Sequence, residues 1–208
     1  TINDPKTDDG AGIGDFSSTL TGLISGVTYY VRAYAQNAFG VSYGDQLSFT
    51  FIQLGDTYQG GTVYYFLNSN DPGYSPNLLH GLIAAPTTTS SSIGWGCNSI
   101  NVAGAEAFAV GSGNQNTIEA SVCGATFAAG FCNNLVLNTY SDWYLPSIDE
   151  LVIMGNNRNI LPSWSGTGYY YSSTESPTLN AWTLNANVYT PSQRDKSGLY
   201  KIRAIRSF

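Results

Sequence analysis

Apolar and polar positions alternate with a period of two in three runs near the start of the chain, "FSSTLTGL", "VTYYVRAYAQN" and "GDQLSFTF", separated by Gly and Asn. Alternation bounded by turn formers predicts half-buried strands. In "TYYVRAYA" the pattern sets Tyr29, Val31, Ala33 and Ala35 on one face and Tyr30, Arg32, Tyr34 and Gln36 on the other, one toward a core and one toward solvent. The same grammar returns in "GGTVYYFL" and in "HGLIAAP", which Pro86 halts, with the turn-rich "NSNDPGYSPN" between them. Toward the end, "GYYYSSTE", "NAWTLNAN" and "YKIRAIRSF" read as further strands divided by polar loops.

Two stretches carry helical spacing instead. In "NQNTIEASVCGATFAAGFCNNLVL", Asn116 or Thr117 can cap the start and Ile118, Val122 and Phe127 supply the apolar side, with Gly124 dividing the segment in two. In "LPSIDELVIMGNN", Ser147 stands as N-cap and Glu150 follows three residues later, the S-x-x-E signature of a capping box. Glu150 therefore has structural employment at its own helix start. Together these patterns predict a mixed α and β domain.

Only 11% of the residues are charged and the formal net charge is −6, so the surface is built largely from neutral polar groups, as suits an extracellular protein. Nucleic-acid binding rests on clustered Lys and Arg releasing counterions, and this balance argues against it. No apolar run approaches the roughly 20 residues needed to span a bilayer. The sequence opens at Thr1 without a leader segment and reads as a processed or excised piece. Cys97, Cys123 and Cys132 lack metal-type spacing, and the single histidine, His80, is distant from them. No metal or cofactor is expected. One disulfide with a spare thiol, or three buried reduced cysteines, fits that count equally. A straight helix would hold Cys123 and Cys132 roughly 13 Å apart, too far to bridge. A turn at Gly124 makes a Cys123–Cys132 disulfide possible, and it is the pairing expected. The acidic opening, with Asp8, Asp9 and Asp15 among glycines, lacks the ligand spacing of a calcium loop and reads as a solvated loop.

"LTGLISGVTYYVRAYAQNAFG" resembles the second half of a fibronectin type III module, which implies that Tyr29 is its tyrosine-corner residue. A whole sandwich of that kind takes about 100 residues, so residues 1–52 are expected to be a partial module lacking its N-terminal strands. Farther on, Trp143, Leu145, Pro146, Ser147, Glu150 and Leu151, then Ser172, Ser173, Thr174 and Glu175, then Ala181 and Trp182, and finally Arg203 and Arg206 form four ordered motifs. They resemble the C-terminal domain of collagen-like bacterial surface adhesins, the Lcl-C type. Tyr171 stands where that pattern usually has Trp. "GGTVYYF", "GLIAAP", "WGC" and "NTIEASVC" extend the likeness over residues 56–208. The resemblance implies an α+β, C-type-lectin-like domain related to the formylglycine-generating enzyme: a small twisted antiparallel sheet, two helices and long loops. It also implies polysaccharide binding at a cell surface.

Candidate catalytic groups are few. A glycosidase needs two carboxylates about 5 Å, or about 6.5–9.5 Å, apart; among Asp142, Asp149, Glu150 and Glu175, Glu150 is occupied by its helix and Glu175 lies within a motif shared with non-enzymatic relatives. An oxidase of the formylglycine-generating type needs a reactive cysteine pair, and Cys123 and Cys132 lie in a helical segment instead. His80 has no Gly-x-Ser-x-Gly context and reads as a turn residue. Arg203 and Arg206, three apart on a final strand, are expected on opposite faces, with Arg203 paired inward to Glu150 or Glu175. Trp143 and Trp182 are expected in the core, with Tyr29, Pro146 and Ser147 structural, while Trp164 in "LPSWSGTG" is expected to be exposed. Ligand contact is assigned to the late loops, through Trp164, Asn180, Asn185, Asn187, Tyr189, Gln193, Arg194 and Lys196, whose residue types offer hydrogen bonds and flat apolar faces. The sequence thus points to a non-enzymatic, extracellular, glycan-binding adhesion module, partnered by a surface polysaccharide or glycoprotein. The second reading is a structural subunit of a filament, phage tail or surface lattice.

Overall fold

A computed structural model describes residues 3–208. The chain divides into two compact units, one ending at Gln53 and the other running Leu54–Phe208.

The first unit holds four short strands: β1 (Thr28–Val31), β2 (Tyr34–Asn37), β3 (Gly40–Tyr43) and β4 (Leu47–Thr50). They form two separate antiparallel ladders, β1 with β4 and β2 with β3. The long run "VTYYVRAYAQN" does not keep one phase: Tyr29 and Val31 are partly covered, the chain leaves the strand at Arg32 and Ala33, and Tyr34 is partly covered thereafter. "FSSTLTGL" forms no strand, contrary to its alternation. Period two makes a strand only where a partner supplies the ladder hydrogen bonds. Tyr29 stacks on Phe49 across the first ladder, with ring centroids 5.9 Å apart, and its hydroxyl accepts from the Ile24 amide at 2.7 Å. Among the described residues of this unit, Ile52 alone is a buried hydrophobic side chain, while Ile13, Phe16, Ile24, Leu47 and Phe39 are exposed.

The second unit adds β5 (Thr57–Tyr58), β6 (Gly61–Phe66), β7 (Gly81–Ala84) and β8 (Ser90–Ile93). Helices α1 (Gly113–Ala120), α2 (Ala128–Asn133) and α3 (Ile148–Asn156) follow. Then come β9 (Tyr169–Ser176), β10 (Asn180–Asn185), β11 (Thr190–Asp195), β12 (Tyr200–Ile202) and β13 (Ile205–Ser207). One sheet has the order β11-β10-β9-β12-β8 and the other β13-β7-β6-β5.

This corrects the expected α+β, C-type-lectin-like domain: the chain is mostly β, with two substantial sheets and, among the described residues, no α-helix longer than nine residues. Two segments for which no strand is expected are strands. The serines at 90–92 with Ile93 supply β8, and "TPSQRD", placed among the late loops, supplies β11, because a backbone ladder can form under side chains that carry no apolar alternation. The closing run is two strands rather than one, since β12 ends at Ile202 and β13 begins at Ile205 in the other sheet.

The core lies where α3 meets both sheets. Leu151 and Met154 pack with Tyr64, Leu82, Tyr170, Leu184 and Ile205, and each such large apolar side chain contributes about 1.5–3 kcal/mol when fully buried. The central strand β9 is buried along nearly its whole length. Consequently its Ser172, Thr174 and Glu175 must find partners inside the protein.

Candidate binding surface

Whether this unit can do acid–base chemistry turns on its buried acids. Ser147 caps α3 by accepting the Glu150 amide at 3.3 Å, and the Glu150 carboxylate returns the bond by accepting the Ser147 amide at 2.8 Å. Its other oxygen accepts the Gly111 amide at 2.8 Å. Burial pushes the Glu150 carboxyl up to about 7, against the opposing pull of these amides. The site admits only glycine behind it: a Cβ on Gly113 would strike the Glu150 carboxylate and come within 2.7 Å of the Ser147 amide. Pro146 is buried, and its carbonyl accepts from Ser173 at 2.7 Å, tying the helix start to β9.

Glu175 is met by Lys196. The two side chains form a buried ion pair, the Val102 amide donates to both carboxylate oxygens at 2.9 Å, and Lys196 also donates to the Ile100 carbonyl at 2.7 Å. The ammonium lies 4.8 Å from the Trp95 ring centroid. Lys196 was expected in an exposed ligand loop; it is instead 1% exposed, because the carboxylate of β9 requires a cation.

The arginines also differ from expectation. Arg203 pairs with neither Glu150 nor Glu175. It donates to the carbonyls of Ala85 at 2.8 Å and Pro162 at 2.9 Å, and burial lowers its guanidinium to about 10. Arg206 grips Asp142 through two bonds of 2.8 and 2.7 Å and reaches Gln59 at 2.6 Å. The hydrogen bonds from Arg206 hold the Asp142 carboxyl below its ordinary value.

The disulfide joins Cys97 to Cys123, not Cys123 to Cys132. Cys123 closes a 3-10 turn, Ser121–Cys123, that follows α1, whereas Cys132 lies in α2 with its side chain in the core. Burial raises the Cys132 thiol well above its ordinary value.

The remaining candidates separate into those inside and those at the surface. Trp143 is buried and donates to the Leu137 carbonyl at 3.3 Å. Trp182 is half-buried rather than core, set edge-on to Phe108 at 5.3 Å. Trp164 is no free platform: it stacks on Tyr170 at 4.6 Å and packs against the core. His80 is half-buried, with its Nδ1 3.1 Å from the Phe208 carbonyl oxygen. Asn180 sits half-buried at the start of β10, and Gln193 is exposed on β11.

Asn185, Asn187 and Tyr189 belong to the β10–β11 hairpin. The Asn185 side-chain oxygen accepts the Asn187 amide at 3.0 Å, and Tyr189 takes a positive φ of 57° with its ring beneath Arg158. On the five-stranded sheet, Arg194 lies over the Tyr169 ring, 4.0 Å from its centroid, and donates to its hydroxyl. Asn185 reaches the same hydroxyl at 3.4 Å. Tyr200 stands edge-on to Tyr169 at 5.6 Å and to the buried Tyr171 at 5.0 Å. The structure therefore brings Asn185 and Arg194 together with Tyr169 and Tyr200, two residues absent from the expected set. Strand parity alone does not find the first: in "YYY" the outer tyrosines share a face, yet Tyr171 is as fully buried as Tyr170 and only Tyr169 is left half-exposed.

Among the described residues, no group of three or more His, Cys, Asp or Glu is placed to hold a metal ion. Among the same residues, no helix is long and apolar enough to cross a membrane.

No family model matches the chain, and no curated protein shows significant similarity to it. Among solved structures it is similar to a fimbrial protein from Bacteroides ovatus ATCC 8483, with a TM-score of 0.49 and 14% identity. The alignment covers 79% of this chain and 56% of that protein, so the chain spans little more than half of its length.

Proposed function

We propose that the chain is a non-enzymatic, extracellular building block of a bacterial surface filament or lattice, held by contacts between chains. The first unit carries this reading. Its strands form two separate ladders of two strands each, and ladders of that size are marginal by themselves in water. Its large apolar side chains are mostly exposed, and exposed apolar surface marks interaction sites. The Cys97–Cys123 disulfide suits an oxidising compartment. Glu150 and Glu175 are engaged by backbone amides and by Lys196, which supports a structural use for both. Sedimentation velocity over a wide concentration range, with electron microscopy of the same samples, tests the proposal: self-association should grow with concentration, and a chain that stays monomeric throughout rules it out.

A second reading rests on the cluster of Tyr169, Arg194, Tyr200 and Asn185. Half-exposed tyrosines beside a guanidinium and an amide offer flat apolar faces edged with hydrogen-bonding groups, which suits a polysaccharide. The motif resemblance to surface adhesins favours the same ligand class. Arg194→Ala and Tyr200→Ala should each weaken the signal on a glycan array, and a parent chain that binds no glycan removes the reading.

A further inference from the structure

The two ends of the five-stranded sheet are built differently. At one end β11 carries Pro191, Arg194 and Asp195, and proline and charge are the devices that keep an exposed strand from pairing with a neighbour. At the other end β8 reads Ser90, Ser91, Ser92, Ile93, with neither device. Its inner side is taken by β12. The Ser92 amide donates within its own strand to the Ser90 hydroxyl at 3.4 Å, a long contact that a better acceptor would replace. Beside this edge lies a groove of about 450 Å³ whose apolar walls are Ile93, Phe127 and Leu199 and whose polar lining includes Ser92, Asn98 and Lys196. Phe127 is 38% and Leu199 66% exposed. An open strand edge next to a slot with apolar walls fits an extended, uncharged segment that carries apolar side chains on one face.

The chain itself contains such a segment. Residues 16–20 read Phe, Ser, Ser, Thr, Leu, so Phe16 and Leu20 share a face when extended. The segment has no charge, joins no strand, and is exposed throughout. At strand rise the four residues of β8 run about 10 Å from first to last, and residues 16–20 run about 13 Å, so the segment covers the whole of β8 with one residue to spare. We propose that residues 16–20 of one copy add as a strand to β8 of a second copy, with Phe16 entering the groove beside Phe127 and Leu199. Donor and acceptor are different segments of the chain, so the contact is heterologous and propagates head to tail unless its rotation closes a ring. The proposal rests on the assembly reading above and names the surfaces through which assembly occurs.

The test uses the whole chain with Phe16 replaced by the photo-crosslinker p-benzoylphenylalanine, in a mixture of isotopically light and heavy copies. Cross-links joining light to heavy chains at residues 92–94, 127 or 199 are expected. Ser92→Pro and the exposed-segment variants Phe16→Asp and Leu20→Asp should each weaken self-association by about tenfold or more, roughly 1.4 kcal/mol, while leaving the near-ultraviolet circular dichroism unchanged. The two Asp variants lie outside every strand and test the idea even where a proline in β8 impairs folding. Cross-links confined to single copies, or landing elsewhere, overturn the proposal. Undiminished association of the variants overturns it while the assembly reading stands; a parent chain that never associates removes both.

Discussion

Lys196 Nζ rests against the Glu175 carboxylate, with both side chains wholly withdrawn from solvent. The pair joins the end of β9 to the segment after β11, and the Ile100 and Val102 backbone closes over it. Removing either member leaves the other charge buried without its partner, a loss that costs about 3–5 kcal/mol.

Glu175→Gln and Lys196→Met should therefore each lower the free energy of urea unfolding by about that much. The double variant should lose clearly less than the sum, because the two changes act on one interaction. Strictly additive losses would show that the side chains contribute independently.

Glu150 predicts a pH dependence of the opposite sign to that of a salt-bridged carboxylate. Its folded value, about 7, lies above the ordinary 4.5, so the folded state holds a proton that the unfolded chain has released. The contribution is complete below about 4.5 and disappears as pH rises through about 7. Parent stability, measured by denaturant titration, should carry a component on the order of 3 kcal/mol that falls across this window. In Glu150→Gln that component should vanish, at the cost of a weaker cap; identical pH profiles for parent and variant would refute the assignment.

Opening the Cys97–Cys123 link frees a loop of 26 residues' separation. Loop-closure entropy for that length corresponds to about 3.5 kcal/mol, so Cys97→Ser with Cys123→Ser should lower stability by about that amount. Peptide mapping without reductant should recover Cys97 linked to Cys123. Alkylation of Cys132 should require unfolding, since it is buried in α2; a mapped bridge to Cys132 would contradict the fold.

Features whose partners lie close together along the chain are legible in the sequence. The Ser147–Glu150 capping box is one, because its two residues are three apart and the helix start itself orients them. The β6, β7, β9 and β10 strands are others, each a run of strand formers ended by Pro, Gly or Asn. The exposed cluster is half legible: Asn185 and Arg194 are of a contact-making type, but Tyr169 and Tyr200 become surface partners only when β9 and β12 lie side by side.

What the sequence determined by itself, then, was local: where helix α3 starts, where the runs of β6, β7, β9 and β10 lie, and that the chain lacks the clustered Lys and Arg of a basic groove. Tertiary structure alone decided that Cys123 meets Cys97, that Lys196 rather than Arg203 answers Glu175, and that "FSSTLTGL" stays unpaired while the serines before Ile93 become a strand. The physical reason is common to all three. A disulfide, a buried ion pair and a β-ladder each join groups far apart along the chain, so their free energy depends on where the backbone brings the second group, and no local pattern encodes that position.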